Sequence, residues 1–138
     1  MNVFLDTNVV LDLLLAKKPF DSESEQIFRL ILESHIVAHI SALSYGQIGY
    51  FLEKGLSKPH ARNRLRDLQE ITEMIEVDDK IISASIASEL NDFENAVQLI
   101  CDLKVKNLYS LITRKYKQFK TKEILILSPR KFLNDFNN

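Results

Sequence analysis

Four short apolar runs constrain this 138-residue chain more than any other feature: Asn2-Val3-Phe4-Leu5, Ile36 to Ile40, Leu108 to Thr113 and Ile124 to Leu127. Each is rich in β-prone residues and mostly apolar on both sides of the pleat, as strands buried on both faces are. Longer segments with helical spacing separate them. Strands alternating with helices imply βαβ units and a parallel sheet. Val3-Phe4-Leu5 is expected at its centre, between Val37-Ala38-His39 on one side and Leu108 to Ile112 on the other.

The helical segments carry their own punctuation. Val9 to Leu15 reads as a buried helix, and Pro19 ends that region. Ser22 and Glu25 form a capping-box pattern opening a helix to about Glu33. Ser41 reads as the N-cap of a helix to about Glu53, on which Ala42, Gly46 and Gly49 share a stripe. Interior glycines destabilise a helix, so this stripe predicts a close helix contact. Lys58-Pro59 opens another helix, with Ala61, Leu65, Leu68, Thr72 and Ile75 facing inward. Ile75 to Val77 is a very short strand, and Lys80 to Leu90 a helix. Asp92 reads as the cap of a helix to about Val105. Phe93, Ala96, Val97, Ile100 and Cys101 form its apolar stripe, with Asp92, Asn95, Leu99 and Asp102 on a partly polar edge beside it. Ser128-Pro129 opens a last helix, with Phe132 and Leu133 turned inward.

The length suits one domain over residues 1–138. No run approaches the roughly 18 apolar residues of a membrane span. The start MNVFLDTN lacks the basic segment of a signal peptide and has an acid within its apolar stretch. Cys101 is the sole cysteine, so no intramolecular disulfide forms and a cytoplasmic location is expected. His35, His39 and His60 lack metal-ligand spacing, and the chain has no CxxC or HExxH pattern. Ser41 and Ser44 have no histidine or acid in a nucleophilic pattern. Net charge is −1, yet charge is segregated. Asp67 to Glu94 holds nine acids and one base, whereas Leu103 to Lys122 holds seven bases and no acid. Such segregation fits either a charged partner or pairing between neighbouring elements.

Parallel sheets bind ligands beyond the carboxyl ends of their strands. That rule singles out Asp6-Thr7-Asn8, Ser41 to Ser44 and Thr113-Arg114-Lys115. The loop Arg114-Lys115-Tyr116-Lys117-Gln118-Phe119-Lys120 interleaves bases with aromatics, a composition suited to phosphate contacts and base stacking on single-stranded nucleic acid. Arg114, Lys115, Tyr116 and Lys117 are its candidate contacts.

The segment VFLDTNVVLDLLL resembles the opening of PIN-domain proteins. The resemblance continues through HISALSYGQIGYFL, NDFENAVQLI and LITRKYKQF to ILILSPRKFL, and so covers nearly the whole chain. It implies a three-layer α/β/α sandwich around a parallel sheet of about five strands. It also implies a likeness to VapC-type ribonucleases, whose active members use Mg²⁺ or Mn²⁺ and many of which are toxins of toxin–antitoxin pairs. An antitoxin partner, a homodimer and a single-stranded RNA substrate come with that likeness. The apolar faces of helices 22–33 and 41–53 agree with self-association.

Magnesium takes oxygen ligands, activates a water and neutralises charge building on phosphate, which is why such sites cluster acids from different elements. Here the resemblance places the first acid at Asp6, supported by Asn8. The second position falls at Gln47 and the third at Asn95, both amides. The fourth, after Thr113-Arg114, falls at Lys115 with reversed charge, and the later acid before Phe119 is Gln118. Asp92, one turn before Asn95, is either an N-cap or a metal ligand alongside Asp6. Glu94 is expected to point elsewhere. Lys115 either takes the place of the metal's charge beside Asp6 or faces solvent. Three functions therefore compete: an RNA-cleaving nuclease with an altered site, an inactive PIN-like protein that binds RNA or a protein, and a partner-binding domain with no nucleic-acid role.

Overall fold

The computed structural model describes residues 1–119 and 121–138; Lys120, the last base of the predicted nucleic-acid loop, lies outside the described residues. The chain begins with strand β1 (Asn2–Leu5) and helix α1 (Thr7–Leu14), followed by α2 (Asp21–Leu32). Next come β2 (Val37–Ser41), α3 (Ala42–Gly55), α4 (Lys58–Ile71) and β3 (Glu73–Ile75). Helices α5 (Asp79–Ala87) and α6 (Phe93–Asp102) precede β4 (Leu108–Ile112). A 3-10 turn (Tyr116–Gln118), β5 (Ile126–Leu127) and α7 (Pro129–Phe136) complete the order. The five strands form one sheet, ordered β3-β2-β1-β4-β5. Every pairing is parallel.

The expected centre is therefore the observed one. Val3 pairs with Ala38 on one side and Ser110 on the other. Alternation along β1 divides the interior into two layers. Val3 and Leu5 join the larger apolar cluster with Val9, Val10, Ile27, Ile48, Leu52 and Phe132, from α1, α2, α3 and α7. Phe4 faces the other way, onto Ile81, Val97, Cys101, Leu111 and Phe119. Helices α5 and α6 cover that face. The result is the three-layer α/β/α sandwich expected from the sequence, with no described helix long and apolar enough to cross a membrane.

Three of the predicted side-chain caps form. The side chains of Ser41, Asp92 and Ser128 accept the backbone N–H of Ser44, Asn95 and Lys131, respectively. The Ser22–Glu25 capping box does not form: α2 starts at Asp21, after Phe20, with no side-chain cap. The preceding turn supplies the partners instead, since Asp21 N–H donates to Lys17 C=O and Ser24 N–H to Phe20 C=O. The short third strand lies at Glu73–Ile75, two residues before its predicted start, because β2 sets its register through Ile40 and Met74. Phe93, assigned to the apolar stripe of α6, is exposed at the helix start. Burial pushes the Cys101 thiol up to about 11, in keeping with a core residue rather than a reactive one.

The glycine stripe on α3 is not a close helix contact along its length. A Cβ on Gly49 would lie 3.4 Å from Leu65 Cδ1 of α4, but one on Gly46 would meet nothing within 4 Å. Gly46 therefore carries the backbone-entropy cost of a helical glycine without a packing reason. We expect Gly46→Ala to raise stability by about 0.5–1 kcal/mol in urea unfolding. A loss of stability would mean that something does pack there.

One acid breaks the pattern of the core. Asp102, at the end of α6, is 0% exposed. It accepts a 2.6 Å hydrogen bond from Gln98 Nε2 through Oδ1, and Oδ2 has no partner among the described residues. Burial holds its carboxyl well above the usual range; the Gln98 bond opposes that, and the charge of Asp6 adds to it. A carboxyl whose folded pKa is raised gains nothing from ionisation that the unfolded chain enjoys. Its destabilising effect is absent below the unfolded value of about 4 and grows by about 1.4 kcal/mol per pH unit above it, until the folded group ionises. Asp102→Asn keeps the shape and the Gln98 bond with no proton to lose. The variant should be more stable than the parent at pH 7, with the gap closing near pH 4. An equal gap at both pH values would rule out a titrating Asp102.

Candidate active site

The carboxyl ends of β1, β2 and β4 open on one cleft of about 390 Å³. All three segments singled out by the rule for parallel sheets contribute to it. Asp6, Thr7 and Asn8 follow β1; Ser41 and Ser44 follow β2; Arg114 and Lys115 follow β4. Gln47 of α3 and Glu94, Asn95 and Gln98 of α6 line the same cleft. Of the sequence-predicted positions, Asp6, Asn8, Gln47, Asn95 and Lys115 meet there. Thr113 lies fully buried against Asp6.

Asp6 is the hub. Its Oδ1 accepts Thr7 N–H at 2.8 Å, so the same carboxylate caps α1. Its Oδ2 accepts the Thr113 hydroxyl at 2.7 Å and the Asn8 amide at 3.1 Å. Asn8 also reaches β4 from its other end, with Oδ1 accepting Arg114 N–H at 3.2 Å. Thr113 Oγ1 accepts Lys115 N–H at 3.0 Å. The Thr7 hydroxyl donates to Gln47 Oε1 at 2.9 Å. Neutral donors thus lace together the ends of β1 and β4.

The charged groups are arranged differently from the sequence-level reading. Lys115 lines the cleft, but its ammonium forms no ion pair with Asp6; its backbone N–H joins the network instead. Arg114 is held by Asp12, a residue of α1 that is 1% exposed: Nε donates to Oδ2 at 2.6 Å and Nη2 to Oδ1 at 3.1 Å. The guanidinium also stacks over the Phe20 ring, 4.1 Å from its centroid. Asp92 is an exposed cap and lines a neighbouring cavity with Asn95 and Gln118, whereas Glu94, expected to point away, lines the cleft with Asp6. Tyr116 and Lys117 lie in the exposed 3-10 turn.

Sequence reasoning passed over Asp12, Phe20 and Gln98. Asp12 had a usable signal: an acid inside the apolar helix VVLDLLL needs a buried partner, and a base near the sheet's carboxyl edge is the natural one. Gln98 follows Asn95 by three residues on the same helix face. Phe20 had no such signal.

The donor set does not fit a resident divalent ion. Among the described residues, no group of three or more His, Cys, Asp or Glu side chains could hold a metal. Asp6 spends three of about four acceptor positions on protein donors. The positions beside it carry the amides of Gln47, Asn95 and Gln98 and the cation of Lys115, which brings no ligand while protonated.

The comparisons agree with this architecture. The PIN domain family model matches residues 2–118. No curated protein matches the chain. A toxin–antitoxin complex from Klebsiella pneumoniae contains a chain 23% identical, with a TM-score of 0.68 over 92% of this chain and 97% of that one. VapBC-1 from nontypeable Haemophilus influenzae is 14% identical, with a TM-score of 0.65 over 94% and 99% of the two chains. VapC20 of Mycobacterium tuberculosis, described as a toxin that cleaves the sarcin–ricin loop, is 15% identical, with a TM-score of 0.63 over 79% and 86%. The sheet order, the strand-end position of Asp6 and a family match over most of the sequence converge: this chain belongs to the PIN-domain family and is structurally similar to VapC toxins.

Proposed function

We propose that this protein is a VapC-like member of a toxin–antitoxin pair that holds single-stranded RNA at the Asp6 cleft, with endoribonuclease catalysis weakened or lost. The observation that carries this reading is the state of Asp6: its carboxylate is filled by Thr7, Asn8 and Thr113, and amides and a lysine occupy the surrounding positions. Mg²⁺ or Mn²⁺ is the cofactor that the family likeness implies for an active member. Here the cleft offers that ion Asp6 and Glu94 beside the cations Lys17, Arg114 and Lys115. A cleft of this composition attracts phosphate more readily than it concentrates a divalent cation.

An antitoxin partner is supported by structural neighbours that are themselves toxin–antitoxin complexes. The face of α3 beside the cleft exposes Leu43, Tyr50 and Phe51, apolar surface suited to a protein contact. A homodimer through the α2 and α3 side is part of the proposal. Sedimentation at tens of micromolar should give a dimer, and a dimer that persists when Tyr50 and Phe51 are changed to serine would exclude this face.

Metal binding is the direct test. Relative to a site with acids at positions 95 and 115, Asn95 removes one unit of negative charge and Lys115 changes the balance by two. One unit pair at about 4 Å is worth roughly 4 kcal/mol at an effective dielectric near 20, and solvent screening reduces this. We expect calorimetry to detect weak or no Mn²⁺ binding at millimolar concentration. The double change Asn95→Asp with Lys115→Asp should restore it and raise cleavage of single-stranded RNA. Tight Mn²⁺ binding by the parent, abolished by Asp6→Ala, would overturn the reading of weakened catalysis.

A further inference from the structure

A second cleft, of about 380 Å³, lies on the other side of Arg114 from Asp6. Phe20, Tyr116, Arg130 and Glu23 line it, and Arg114 lines both clefts. We propose that this groove is a base-stacking subsite for single-stranded RNA, taking a nucleotide next to the one at the Asp6 cleft; the proposal rests on the RNA reading above and extends it to specific residues.

Phe20 is 39% exposed and Tyr116 42%, and both line this groove. One face of Phe20 is covered by the Arg114 guanidinium, and the open remainder of the ring is available to a base. Tyr116 projects from a short turn and belongs to neither apolar cluster. Lys117 Nζ lies over Tyr116, 6.0 Å from the ring centroid; the exposed parts of both rings offer flat surface to an unpaired base, which every base can use through its π-face. A duplex cannot present its bases this way.

The groove also has phosphate donors. Arg130 is 78% exposed and donates only Nε to Glu23 among the described residues, at 3.0 Å. A guanidinium has five N–H groups, so most of its donors remain for a ligand. Arg114 uses Nε and Nη2 on Asp12 and keeps the rest. Because Asp12 and Phe20 fix its plane, Arg114 is a rigid divider between the clefts, well placed for a backbone phosphate passing from one to the other. Lys115 lines the Asp6 cleft beside Arg114. Aromatic faces combined with arginines favour RNA over an apolar protein segment as occupant.

The test measures binding of fluorescein-labelled oligoadenylate and oligouridylate, each about ten nucleotides long, to the full chain in divalent-free, low-salt buffer, so that cleavage does not enter. The parent should bind both and prefer oligoadenylate, whose larger bases stack more strongly. Phe20→Ala and Tyr116→Ala should each weaken binding about 5- to 100-fold and erase that preference. Tyr116→Phe should restore binding, because stacking does not need the hydroxyl. Arg130→Ala should weaken both oligomers alike and lower the salt slope by about one ion. Tyr116 makes no core contact, so its variants carry the test if Phe20→Ala fails to fold. A parent that binds RNA while the aromatic variants bind equally well would overturn the groove and leave the RNA reading standing. A parent that binds neither oligomer would overturn that reading, and the groove with it. Undiminished binding of duplex RNA, or an antitoxin chain that shields Phe20 and Tyr116 while RNA does not, would also overturn the subsite.

Discussion

The structure depends on β1 being buried on both faces. Three residues serve two apolar layers, with Val3 and Leu5 on one side and Phe4 on the other. Parallel neighbours on both edges leave the strand no freedom of register, since a slip of one residue would exchange the layers. Its carboxyl end must then emerge beside that of β4, and Asp6 meets Thr113 across the gap. Asp6 N–H donating to Ile112 C=O extends the sheet ladder to the hub itself. The site is thus an outcome of strand register, and its geometry is as firm as the sheet's.

Much of this was legible because it is local. Apolar runs marked β1, β2 and β4, and Ser41, Asp92 and Ser128 announced the helices they cap. What escaped lies between distant segments. The Arg114–Asp12 pair joins residues 102 positions apart, so the arginine read as a free nucleic-acid contact is also a structural tie. The third strand is an edge strand whose limits come from β2, and its own Glu73 and Met74 carry no strand signal. Gly46 shows the limit of pattern reading, because a stripe of small residues describes a helix surface without saying what faces it. Asp102 was placed on a partly polar edge, yet that edge runs from exposed Asp92 to a buried end at Leu99 and Asp102.

At the cleft, shape and charge have parted. Gln47 and Asn95 hold positions that the family resemblance gives to acids, and an amide has nearly the same outline as a carboxylate. Neutral hydrogen bonds from Thr7, Asn8 and Thr113 surround the remaining acid. Such bonds are less sensitive to salt than ion pairs. The network therefore keeps the strand ends in place without a counter-ion. Beneath it, Asp102 and Gln98 form a second polar layer that would be costly in an ordinary core.

Arg114 has one further consequence. It is a wall of two clefts and is clamped between Asp12 and Phe20. A ligand in either cleft meets the same guanidinium. By thermodynamic linkage, whatever factor occupancy of one cleft applies to affinity in the second, the second must return to the first. A single buried carboxylate, Asp12, thereby sets the position of the one side chain that both cavities share.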